Sequence, residues 1–219
     1  MTEEIYTSET HKGREVLYAS FSKIFFDIPD EKVLKMLRDI MPALMDMRTD
    51  DDRGRLLNEG VKGLENFLKR YDNADNGAEF IKSVNTQFTR VFCLSDSAPV
   101  SESVYLSKEH LVMQENEIAV LKEYESLGFT TDYSSSNEPA DHISFELMFM
   151  SYLAKGTAKR IDEKDFENAD KLIEAQRKFL KEHPLLWIDK FIAAVLKFPE
   201  SYGFYLPAVY FIAGFMKAD

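Results

Sequence analysis

Apolar residues recur every three or four positions along almost the whole chain, and no stretch alternates polar with apolar over the length of a strand. A face that repeats at this period can be buried only as a helix. The pattern therefore predicts an all-α fold, built by helices packed on one another. No repeat of solenoid period is visible, so the expected architecture is a single bundle-like body of about nine helices.

The first helical stripe is Leu17, Phe21, Ile24, Phe25 and Ile28, and the second is Val33, Leu37, Ile40, Leu44 and Met47. Pro29 separates them, and Pro42 is expected to kink or end the second helix. Asp50-Asp51-Asp52 reads as the cap of a third helix through Leu57, Val61, Leu64 and Leu68. Asp72 to Gly77 reads as a loop, followed by a helix through Val84, Phe88 and Phe92. The small and polar run Ser95–Ser103 then interrupts the periodicity. It is the expected junction between an N-terminal lobe (about 1–100) and a C-terminal lobe (about 101–219).

In the second half a stripe ending at Leu127 is closed by Gly128, suited to a left-handed cap, and Thr130–Ser136 forms another polar loop. Pro139 is expected in the first turn of a helix carrying Ile143, Leu147 and Met150. Asp162 and Asp165 are expected to open the next helix, His183-Pro184 to end it, and Pro199 to precede a closing apolar helix.

The 219 residues suffice for a full core, burying ~70% of the surface of the unfolded chain. With 27 basic against 38 acidic residues the net charge is −11, which argues against nucleic acid as a partner and leaves a cationic peptide open. A single cysteine, Cys93, excludes an internal disulfide or a multi-thiolate metal site. The apolar run Tyr205–Met216 is too short to span a bilayer. Met1-Thr2-Glu3-Glu4-Ile5 does not resemble a secretory signal, so the chain is expected in the cytoplasm.

No glycine-rich phosphate loop, dinucleotide fingerprint or nucleophile elbow is written in the sequence, and none of the four histidines has a glutamate three residues before it. One constellation remains: Glu138-Pro139-Ala140-Asp141-His142, with Glu146 four residues after the histidine. Three readings are open. The carboxylates cap a helix start and His142 pairs with Glu146. Alternatively His142 is a general base, or the cluster Glu138/Asp141/His142/Glu146 holds a metal in a helical enzyme. Thirdly, the acceptors recognise a cationic peptide.

Glu138–His142 and the following Ile143-Ser144-Phe145-Glu146-Leu147-Met148-Phe149-Met150 closely resemble the Glu-Pro-x-Asp-His motif and next helix of the TorD/DmsD chaperones. Phe88–Phe92, Ser101–Ser107 and Phe179–His183 leading to Trp187 add to the likeness, which spans roughly Arg14 to Phe191. One departure is Ala98-Pro99-Val100, where relatives often carry two prolines and an aromatic. The resemblance implies an all-helical, non-enzymatic cytoplasmic protein without a cofactor of its own. It would bind the twin-arginine signal peptide and the catalytic subunit of a molybdenum oxidoreductase, as monomer or homodimer. Asp141, with Glu138 nearby, is then expected to meet the arginines, with His142 bonding the peptide backbone or tuning the site and Pro139 holding the loop. Tyr105 and Tyr18 are candidates to line the apolar side, with buried packing the other role open to each aromatic. An assembly factor of a membrane-anchored nitrate reductase, from the same broad superfamily, is the neighbouring alternative.

Overall fold

The structure, a computed structural model, describes residues 7–50, 54–130 and 138–219. Among these residues ten α-helices occur and no strand. The all-α class and the count of about nine are borne out.

The chain divides into two compact units. They are not its two halves. The first joins the chain up to Phe25 with Ser101–Trp187, and the second joins Phe26–Val100 with Ile188–Asp219. The sequential lobes 1–100 and 101–219 are thus replaced by an interleaved division, because each terminal helical segment packs with the other half of the sequence. Helical periodicity marks which face is buried and carries no label for the partner.

In the first unit, α1 (Ser8–Phe26), α5 (Glu102–Leu106), α6 (Glu115–Ser126), α7 (Ile143–Asp162) and α8 (Phe166–Glu182) supply the core. Helix α7 packs along α8, and Tyr124, Phe149 and Phe179 form an aromatic centre with Tyr124–Phe149 and Phe149–Phe179 centroids 4.7 Å apart. Helix α1 is tied to α7 by two hydroxyls: Ser22 Oγ donates to the Ser144 carbonyl (2.8 Å) and Ser151 Oγ to that of Glu15 (2.9 Å).

The second unit contains α2 (Glu31–Asp46), α3 (Arg55–Asp72), α4 (Gly77–Phe88) and α10 (Tyr205–Ala218), with most of α9 (Pro184–Val195). Helix α10 lies against α3 at a seam of small residues, Gly60, Gly63 and Gly214. A π-helical turn, Thr89–Cys93, follows α4, and a 3-10 turn, Pro199–Gly203, precedes α10.

Local signals account for many boundaries. The Asp30 carboxylate accepts from the N–H groups of Lys32 and Val33 at the start of α2, and that of Asp165 accepts from Asn168 at the start of α8. Gly128 has φ +73°, the left-handed conformation its position requires. Four expectations are corrected. Helix α2 continues through Pro42 to Asp46, so of the two expectations for this proline the ending is overturned; the proline forfeits one bond, to the Arg38 carbonyl. Asp162 ends α7, and Asp165 alone caps α8. Pro139 stands before the helix instead of in its first turn. Glu102 and Ser103, at the end of the run read as a junction, form the first turn of the short α5. Asp51 and Asp52 of the acidic triplet, and 131–136 of the second loop, lie outside the described residues; α3 begins after Gly54 without a side-chain cap.

Candidate functional site

The motif Glu138–His142 is a turn leading into α7. The Pro139 carbonyl accepts the His142 N–H (3.0 Å), and the Asp141 carbonyl accepts that of Glu102 (3.0 Å) across an isolated antiparallel bridge between Ser101 and His142. Asp141 is fully buried. Its Oδ2 accepts from the Ser103 N–H (2.7 Å) and from the Ser103 hydroxyl. The aspartate thus pins the strap Ser101–Ser107 to the motif. Helix α6 grips the turn from its other side: a Glu117 carboxylate oxygen accepts the Ala140 N–H (2.9 Å), and the Tyr124 hydroxyl donates to the Ala140 carbonyl (3.2 Å).

His142 caps α7. Its Nδ1 accepts from the Ser144 N–H (3.1 Å) and lies 2.7 Å from the Ser144 hydroxyl, and burial lowers its pKa to about 4. A neutral ring with its proton on Nε2 follows. The expected pairing with Glu146 is not formed, because a ring that accepts from its own helix start faces Ser144. Glu146 points into the core, where Trp187 Nε1–H donates to Oε2 at 3.3 Å.

Behind the motif lie three buried carboxyl groups, those of Glu102, Asp141 and Glu146. Glu102 accepts from Asn116 (3.0 Å) and pairs with His183 Nδ1 (3.1 Å). Burial pushes the Glu146 pKa well above the usual carboxylate range, and the charges of Glu102 and Asp141 push it further. Both effects favour the protonated form of Glu146. Burial also raises Asp141 against the lowering effect of the Ser103 hydrogen bonds. Asp141 Oδ1 and Glu146 Oε1 meet no donor among the described residues.

The raised Glu146 group means that the folded chain binds a proton the unfolded chain releases, so stability falls as pH rises above 4.5. A Glu146→Gln variant keeps the shape without the titration. Its advantage over the wild type should grow with pH from 4.5 upward, by at most ~1.4 kcal/mol per unit. Urea unfolding at several pH values measures it; parallel profiles would show that Glu146 is ionised in the fold.

Of the six residues expected at a peptide site, Glu138 alone presents an exposed side chain, and partial burial raises its pKa. Pro139, Asp141 and His142 are buried in the turn. Tyr105 is half-buried and stacks on Trp187, with centroids 5.3 Å apart and rings 20° from parallel. Tyr18 is wholly buried in α1, where it lines no surface. Glu102, Ser103, His183 and Trp187 are the residues that sequence reasoning left out of the site. Their signal lies in the segments Ser101–Ser107 and Phe179–Trp187, which resemble those of the chaperones. The metal-enzyme constellation is not assembled: among the described residues no group of three or more His, Cys, Asp or Glu side chains is arranged to hold a metal ion.

Residues 51–193 match the family described as nitrate reductase delta subunit. The chain belongs to this family, which includes the TorD chaperones. It is 30% identical over 141 residues to chaperone protein TorD of Aliivibrio salmonicida, a match covering 62% of each chain. The TorD of Photobacterium profundum is 29% identical over 71% of this chain and 73% of the relative. That of Vibrio cholerae is 24% identical over 95% of this chain and 91% of its own length. These relatives are named chaperones, a non-enzymatic family, which removes the reading of the cluster as a catalytic centre. No helix among the described residues is long and apolar enough to cross a membrane.

Proposed function

We propose that the protein is a cytoplasmic maturation chaperone for a molybdopterin-dependent oxidoreductase of the dimethyl sulfoxide or trimethylamine N-oxide reductase type. It binds the twin-arginine signal peptide and the apoprotein, holding them for cofactor insertion before export. The observation that carries the reading is the motif turn itself. Glu138 is exposed on a turn fixed from behind by Asp141, Ser103 and Glu117, which gives a guanidinium a positioned acceptor at low ordering cost. Names of the similar proteins and the net charge of −11 support the same partner class.

In this reading each residue of the motif has its own role. Glu138 meets the arginines directly. Asp141 and His142 act as positioning residues, the first through the strap and the second through the start of α7. Calorimetry with a synthetic twin-arginine leader tests this. Glu138→Gln should weaken binding several-fold at low salt, and the difference should shrink as salt screens the pair. An affinity that is the same in both proteins and flat in salt would remove Glu138 from the site. The family description favours a second client, a nitrate reductase. Co-purification with the catalytic subunit of one or the other enzyme separates the two.

A further inference from the structure

The loop between α5 and α6 carries an apolar tip that the fold leaves in solvent. Leu111 is 59% exposed, Val112 44% and Met113 66%, and Ile118 in the first turns of α6 is 55% exposed. Met113 precedes the N-cap Gln114 and Ile118 is the fourth residue of α6, the two positions that lie side by side at a helix start. Met113 and Ile118 thus occupy neighbouring positions at the start of α6, with the exposed Leu111 and Val112 directly before them in the chain.

The tip is held in place. His110 and Met113 adopt φ 53° and 60°, which costs any residue but glycine and is tolerated by histidine better than by methionine. The His110 ring nitrogen Nδ1 bonds the Val104 carbonyl (3.0 Å), and the Gln114 amide donates to the carbonyls of Val112 (3.0 Å) and Met113 (3.4 Å). A soluble chain that spends backbone strain to display large apolar side chains is displaying a contact surface.

Acidic groups flank the patch. Glu109 and Glu115 are exposed beside it, and Glu117 next to Ile118 bonds the motif at Ala140, two residues from the exposed Glu138. A partner that fits has an apolar segment adjoining a cationic one. We infer that the Leu111–Met113 tip with Ile118 docks the apolar stretch of the leader while its arginines lie at Glu138. This rests on the function proposed above and adds a second contact surface to it.

The test compares two synthetic peptides by calorimetry: a full leader, and a short one ending after the arginines. The variants are Leu111→Ser with Met113→Asn, asparagine being well suited to φ 60°, and separately Ile118→Gln, which leaves the loop untouched. Both variants should bind the full leader about tenfold more weakly than wild type and the short peptide equally well. Undiminished affinity for the full leader overturns the inference and leaves the function standing. So does a wild-type dimer that the variants convert to monomer at unchanged leader affinity, since the patch would then serve a second copy of the chain. A wild-type protein that binds neither peptide overturns both.

Discussion

A Gly60→Val variant is expected to lose roughly 3 kcal/mol or more of stability and to unfold at a much lower urea concentration than the wild type. A Cβ at Gly60 would lie 2.4 Å from the backbone nitrogen of Phe211 and 2.6 Å from its Cα. Those atoms belong to α10 and cannot rotate aside. The same seam repeats at Gly214, whose Cβ would stand 2.5 Å from the Leu57 nitrogen, and at Gly63 against the Pro207 ring. Separating α3 from α10 far enough for valine would open the core at every one of these contacts. Gly13 in α1 is an internal control, because nothing lies within 4 Å of a Cβ there. Gly13→Ala should raise stability by about 0.5–1 kcal/mol, as alanine does in an open helical position. Equal urea midpoints for Gly60→Val and the wild type would refute the close approach of the two helices.

The fold class was legible because helix formation is a local event with a local signature. Apolar spacing, the caps at Asp30 and Asp165, the left-handed Gly128 and the break at His183-Pro184 each act within a turn or two of chain. Which helix packs on which is decided by shape at long range. Nothing near Ser22 or Glu15 states that their partners are Ser144 and Ser151, and so the interleaved units were not foreseen. The seam at Gly60 and Gly214 is similarly silent, since a glycine in a helix reads as a weak helix former until its neighbour is known. At the site, the motif itself is visible in the sequence, whereas its construction is not. Asp141 and His142 are polar and stand at a helix start, a position that by itself does not mark a residue as buried. They are buried because Ser103 and Ser144, one distant and one adjacent, satisfy them. Tyr18 follows the packing reading: an aromatic on an amphipathic helix is core unless something specific turns it outward.

Acidification from about pH 6.5 to 4 should cost the protein roughly 3 kcal/mol through His142 alone, and a His142→Asn variant should escape that loss. The sign follows from which state binds the proton first. Burial lowers the folded pKa from 6.5 to about 4, so within this window the unfolded chain takes up a proton that the folded chain refuses. Stability from this group is complete above pH 6.5 and drains away as pH falls toward the folded value. A proton on Nδ1 also converts the acceptor of the Ser144 N–H into a donor, which abolishes the cap of α7. Asparagine keeps an acceptor at that position and is a preferred cap residue, so the variant separates titration from capping. Glu146 acts with the opposite sign above pH 4.5, which makes the wild-type profile between 4.5 and 6.5 flatter than either group would make it. For that reason the informative quantity is the difference between wild type and His142→Asn in urea unfolding at each pH. That difference should move in favour of the variant below pH 6.5 and be constant above it. A difference independent of pH would mean that His142 takes up its proton at the same pH in the folded as in the unfolded chain, which would overturn the buried, neutral ring that accepts from the Ser144 N–H.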